Sequence, residues 1–232
     1  MRARILLQTA TALALVFGVL AQANAVPMLR LTTSTGATAT VIDGGANDSS
    51  SLDGLVLFNG PLGNWTINVT TGLSKPALGS DLVPILDLVS FNMTSSGPAG
   101  TIWLEFTETG FASQPNSAHV GTAIGGTTTG NVTFRTFFDA ANLAFGQGTE
   151  LTSASYNDSA FSGTGWNSLE SSDPYSLTLL VGITHDGRPW QMTSFDANIQ
   201  VPEPASLLLV GTGLLAMALF LGRRRVWAVA LL

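Results

Sequence analysis

The sequence predicts an all-β protein. It should form an antiparallel β-sandwich, jelly-roll-like, over residues 26–200, with a signal peptide before it and a transmembrane helix after it. Three observations carry this expectation. Apolar residues in 26–200 recur with period two rather than 3.6. Glycine, Asn-Gly, Asp-Gly and Ser/Thr clusters break that pattern at short intervals, as turns do. No part of 26–200 has the spacing of an amphipathic helix of useful length. About ten short strands result, which points to two packed sheets. A membrane barrel fits less well, because the strands are short and uneven and no aromatic girdle repeats.

Each element has its own signal. Residues 29–33 open the domain, and 37–42 follow. Asp43, Gly44, Gly45, Ala46, Asn47 and Asp48, with the serines after them, read as a polar loop. Residues 54–59 (GLVLFN) are apolar enough for a central strand, and Asn59-Gly60-Pro61 reads as its turn. In 65–71, Trp65, Ile67 and Val69 share one face. Pro84 marks the start of the next strand, because proline cannot donate inside a ladder. Residues 101–109 alternate most clearly, with Ile102, Leu104 and Phe106 inward and Trp103, Glu105 and Thr107 outward. The Gly/Ser/Thr-rich residues 111–129 read as a long loop with one short strand near His119. Residues 131–138 and 151–156 are strands, and 140–145 suggests a helical turn. Residues 175–185 (YSLTLLVGITH) are nearly continuous in apolar character and predict a strand buried on both faces. His185-Asp186-Gly187-Arg188-Pro189 then reads as a hairpin turn, and 195–201 closes the domain.

The two ends are of another kind. Residues 1–25 carry Arg2 and Arg4, an apolar run, and Ala23 and Ala25 in the small-x-small pattern of a signal peptidase site. Cleavage is expected between Ala25 and Val26, and the alternative is a retained N-terminal anchor. At the other end Val201, Pro202, Glu203 and Pro204 precede an uncharged run over 205–222 and then Arg223, Arg224 and Arg225. A helix of about 18 residues covers roughly 27 Å, enough for a thin hydrocarbon core. The arginines stop transfer and stay on the cytoplasmic side. The two prolines hold the residues before the run extended, as a protease or transpeptidase cleft requires.

This order of proline-bearing tetrad, apolar span and arginine cluster, on a chain with a signal peptide, resembles the PEP-CTERM sorting signal of Gram-negative bacteria. The resemblance rests on Pro202-Glu203-Pro204 and on Arg223 to Arg225. It implies an exosortase as partner, a precursor anchored in the inner membrane, and delivery to the cell surface or an exopolysaccharide matrix such as a biofilm. It departs from the family pattern in the apolar extension over 226–232 (VWAVALL). The alternative is an ordinary C-terminal anchor that is never cut.

Charge and composition narrow the function. Between the two targeting segments lie four basic residues, Arg30, Lys75, Arg135 and Arg188, against fourteen acidic ones, a formal charge of −10. Such a surface repels nucleic acid and anionic lipid. With no cysteine in the chain, disulfides, thiolate catalysis and thiolate-bound metals are excluded. Few residues suggest catalysis. His119 and His185 read as surface histidines at turns, and no nucleophile-elbow signature accompanies them. Glu105 and Glu108 lie three apart on one strand, so they face opposite sides. Asp43, Asn47, Asp48 and Asp53 crowd one loop and form a weak calcium candidate, the alternative being side chains that cap their own turns. Trp103, Trp166 and Trp190 are candidates for sugar stacking, Trp103 and Trp190 foremost, the alternative being ordinary packing. Asn-x-Ser/Thr sites at Asn47, Asn64, Asn68, Asn92, Asn131 and Asn157 follow from the Ser/Thr richness. The reading is therefore an exported, non-enzymatic surface or matrix protein without cofactor. The alternatives are a secreted carbohydrate-binding module and, less favoured, a secreted hydrolase.

Overall fold

A computed structural model describes residues 25–112, 119–169, 173–202, 212–215 and 217. Twelve strands run through the described residues, and every pairing between them is antiparallel. They are β1 (Met28–Thr33), β2 (Thr38–Ile42), β3 (Leu55–Leu62), β4 (Trp65–Leu73), β5 (Ile85–Ser95) and β6 (Gly100–Phe111), then β7 (His119–Thr128), β8 (Asn131–Asp139), β9 (Thr149–Tyr156), β10 (Ala160–Ser168), β11 (Tyr175–His185) and β12 (Met192–Gln200). One six-stranded sheet has the order β2-β1-β6-β11-β8-β9 and the other β10-β7-β12-β5-β4-β3. Beyond β5 the chain crosses repeatedly from sheet to sheet, leaving β2 beside β3 at one edge and β9 beside β10 at the other.

Period-two alternation builds the core. From the first sheet come Leu29, Leu31, Ile102, Leu104, Phe106, Val132, Phe134 and the inward residues of β11. From the second come Val56, Trp65, Ile67, Leu86, Leu88, Val120, Ile124, Phe195 and Ile199. The layers interlock at Gly72, where a Cβ would sit 2.5 Å from the Phe106 ring. A larger residue there would have to displace that ring.

Several boundaries differ from the sequence reading. Asn59-Gly60-Pro61 lies inside β3, where a bulge between Phe58 and Gly60 absorbs it. The hairpin turn comes three residues later at Gly63-Asn64, with Gly63 at φ +60. That bulge and a break in the β4–β5 pairing shift the burial phase, so Thr70 rather than Val69 faces inward. Most of the loop expected over 111–129 is the ten-residue strand β7, and β10 had no counterpart in the sequence reading. Glycine lowers the apparent strand signal of both, yet each pairs along its length. Residues 140–145 form turns with Asn142 and Phe145 at positive φ, not a helical turn. The segment 185–189 is not a hairpin, since β11 and β12 belong to different sheets. Finally, the outward residues Glu105 and Thr107 are buried, because 140–148 folds over them. There Phe145 N–H donates to Thr107 Oγ1 and Ser176 Oγ–H donates to Leu143 O.

The expected membrane helix falls mostly outside the described residues. Thr212 to Leu215 and Met217 are helical, and among the described residues no helix is long and apolar enough to cross a membrane.

Candidate functional site

Strict antiparallel pairing sorts the connections to two ends of the sandwich. The loops 34–37, 63–64, 96–99, 129–130, 157–159 and 186–191 lie at one end. Ala25, the loops 43–54, 74–84 and 140–148, and Val201 lie at the other. Ala25 packs on Gly110, its Cβ 2.9 Å from where a Cβ of Gly110 would be. Val201 is fully buried, and its N–H donates to Pro84 O at 3.0 Å. The expected signal peptidase site and the tail motif therefore leave the domain together. Val201 was expected in an exposed peptide, yet it belongs to the core, and Pro202 after it is half-buried. Ala23, Glu203, Pro204 and Arg223 to Arg225 lie outside the described residues.

That same end holds a buried ionic cluster. Lys75 Nζ pairs with Asp81, donates to Gly110 O at 3.1 Å and sits 4.0 Å from Glu108 Oε1. It also lies 4.6 Å from the centre of the Phe111 ring. Burial pushes the Glu108 carboxyl up to about 7, against the lowering effects of Ser74 and Lys75.

The other sequence candidates separate. Asp43 Oδ2 accepts from Gly54 N–H, and Asp48 accepts from the N–H groups of Gly44, Ser50 and Leu57. Asn47 donates to Thr40 O, and Asp53 is exposed in the same loop. Oxygens of Asp43 and Asp48 are thus engaged by the loop backbone, as side chains that cap their own turns are. Glu105 faces out to Arg30 and Gln147, whereas Glu108 faces in, so the two do not act together. His119 is exposed at the start of β7. His185 was expected at the surface but is fully buried, with Nδ1 2.7 Å from Ser95 Oγ, Nε2 3.0 Å from Thr193 Oγ1 and its ring against Trp65. Burial lowers its pKa to about 4, so it is neutral at pH 7. The tryptophans do not form one platform. Trp103 lies on the first sheet against Gly182, Trp190 stands 95% exposed at the end of the sandwich opposite the tail, and Trp166 is on β10 of the second sheet.

Around Trp166 the register assembles a site that the sequence reading missed. The outward positions of β10, β7 and β12 form three rows. Ser162, Gly125 and Asp196 make the first, Thr164, Ala123 and Asn198 the second, and Trp166, Gly121 and Gln200 the third. Because β7 contributes only glycine, alanine and glycine, it is the floor of a trough, with side chains of β10 and β12 as walls. The first two rows line a cavity of about 590 Å³, and Trp166, Gly121 and Gln200 stand beyond it as the next row along the same strands. The six-membered ring of Trp166 rests on Gly121, with Cη2 and Cζ3 3.1 Å from where a Cβ would stand, and the residue stays 72% exposed. Asp87, opposite Asn198 on β5, lies beside Asp196 and feels its charge. Burial first, and the Asp196 charge next, push Asp87 up to about 6. One signal for the site was present in sequence: the alternation Ser162-Gly163-Thr164-Gly165-Trp166 is that of a strand.

Comparison with known proteins speaks to the tail. No curated protein matches the chain. A family model described as the PEP-CTERM protein-sorting motif matches residues 200–225, starting at the last residue of β12. Such signals are recognised by exosortase and imply export with membrane anchoring before processing. Residues 200–225 accordingly match a PEP-CTERM sorting motif, which supports export and sorting by an exosortase.

Proposed function

We propose that the chain is a non-enzymatic protein of the cell surface or extracellular matrix. It is exported by its signal peptide, parked in the inner membrane by 205–222, and cut near Pro202-Glu203-Pro204. The observation that carries this reading is the match of 200–225 to the sorting motif, set directly on the end of β12. The use made of the reactive groups supports the non-enzymatic part. His185 is neutral and bonded through both nitrogens. The acidic, Ser/Thr-rich surface keeps the sandwich soluble outside the cell, and an exopolysaccharide is its proposed partner.

Mass spectrometry of the protein from its native host tests this. The mature chain should start at Val26 and end between Val201 and Pro204, and deleting the exosortase should leave full-length precursor in the inner membrane. A mature form that still carries Leu207 to Leu221 would overturn it.

A further inference from the structure

We propose that the trough along β7 binds a strand of a neutral, hydroxyl-rich polysaccharide, which lies over Gly121, Ala123 and Gly125 with Trp166 against the face of one sugar ring. The proposal deepens the surface-or-matrix reading by naming the class of partner and where it sits.

Shape is the first argument. A volume of about 590 Å³ falls within the range of real ligand sites, roughly 300–1,000 Å³. From Gly121 to Gly125 the floor is four strand steps, about 13 Å long, enough for a short run of sugar rings. The chemistry of the walls is the second. Ser162 and Thr164 offer hydroxyls, Asn198 both donates and accepts, and Asp196 accepts, which matches the hydroxyl groups of a sugar. One row beyond that cavity, Trp166 adds an exposed apolar ring for the C–H face of a sugar. Only glycine at position 121 leaves room for that ring to lie across β7.

The same features disfavour other occupants. An extended peptide would gain main-chain hydrogen bonds only at a free strand edge, and β7 is paired on both sides, by β10 and β12. A polyanion would meet Asp196, with Asp87 beside it and no cation in the wall. Trp190 is more exposed than Trp166 but stands away from these walls, so it serves as a control.

Affinity electrophoresis of the full-length protein in detergent tests the proposal. Gels would contain dextran, mannan or hydroxyethylcellulose as neutral probes, and alginate as an anionic one. At least one neutral polymer should retard the protein. Trp166→Ala and Gly125→Leu should each weaken that retardation by about tenfold or more, while Trp190→Ala and Trp103→Ala leave it unchanged. Gly125→Leu guards against a folding artefact. A Cβ there meets only ordinary contacts at 3.7 and 4.0 Å, so the leucine fills the trough without disturbing the sheet. Three results overturn the proposal: no retardation by any neutral polymer, retardation by alginate alone, or retardation lost in Trp190→Ala or Trp103→Ala but kept in Trp166→Ala and Gly125→Leu. Because the assay needs no processing, its failure is distinct from failure of the sorting reading, which mass spectrometry decides.

Discussion

Asp87 and Asp196 meet only because β5 and β12 are neighbours in register, and the meeting is unfavourable at neutral pH. The half-buried Asp87 carboxylate loses solvation and faces the like charge of the exposed Asp196. The folded-state pKa of Asp87 is raised from 3.8 to about 6, so between those values the native chain holds more protons than the unfolded one. Stability therefore falls as pH rises through that window, and the whole penalty is present above it. Asp87→Asn keeps the shape and a hydrogen-bond donor toward Asp196 while removing the charge. It should stabilise the protein at pH 7.5 by on the order of 1 kcal/mol, after allowance for a half-exposed site, and make little difference below pH 3.8. Thermal unfolding of wild type and variant at the two pH values checks this, and equal gains at both would show that charge is not the cause. A penalty kept at a cavity rim is what a binding role for the pair would explain.

At the scale of the element, Gly72 and Phe106 show how the sheets lock. β4 and β6 belong to opposite layers, and the ring of Phe106 takes the space a Cβ at position 72 would need, 2.5 Å away. Gly72→Ala should cost about 1–3 kcal/mol by overpacking. Phe106→Leu should cost about as much through lost burial, yet the double variant should be less destabilised than the sum, because each change relieves the other. Chemical denaturation of the four proteins measures the coupling, and simple additivity would refute the interlock. This contact also shows where sequence reading stops. β1, β6 and β11 were legible because large apolar residues alternate along them or fill them. β7 and β10 were not, because their glycines look like loop until neighbouring strands supply the ladder, on both sides for β7 and on one for β10. The buried His185 looked like a turn residue because Asp186, Gly187 and Pro189 follow it, while the strands that cover it come from elsewhere in the chain. The trough was invisible for the same reason. Its floor is defined by what is missing from β7, and its walls meet only through pairing.

For the whole molecule, what matters is that the sandwich begins and ends at the same end. Twelve antiparallel strands return the chain to the end where it began, so Ala25 and Val201 both lie at that end. Val201 is buried and tied to Pro84 O, which leaves no slack between the sandwich and Pro202. On the proposed reading, with 205–222 in the bilayer and cleavage near Pro202-Glu203-Pro204, the sandwich would sit close above the peptide bond that exosortase has to reach. Steric access, not recognition of the motif, should then limit processing. Inserting six Gly/Ser residues between Val201 and Pro202 leaves the core contact and the motif intact and adds a flexible spacer of about 13 Å. Pulse-chase labelling in the native host should show the precursor disappearing several-fold faster in this variant. Val201→Asp, which expels the same residue from the core, should also speed processing, but at the expense of folding stability. An unchanged precursor lifetime with the spacer would mean that the enzyme already reaches its site beneath the sandwich, and that the flush junction serves only to finish β12.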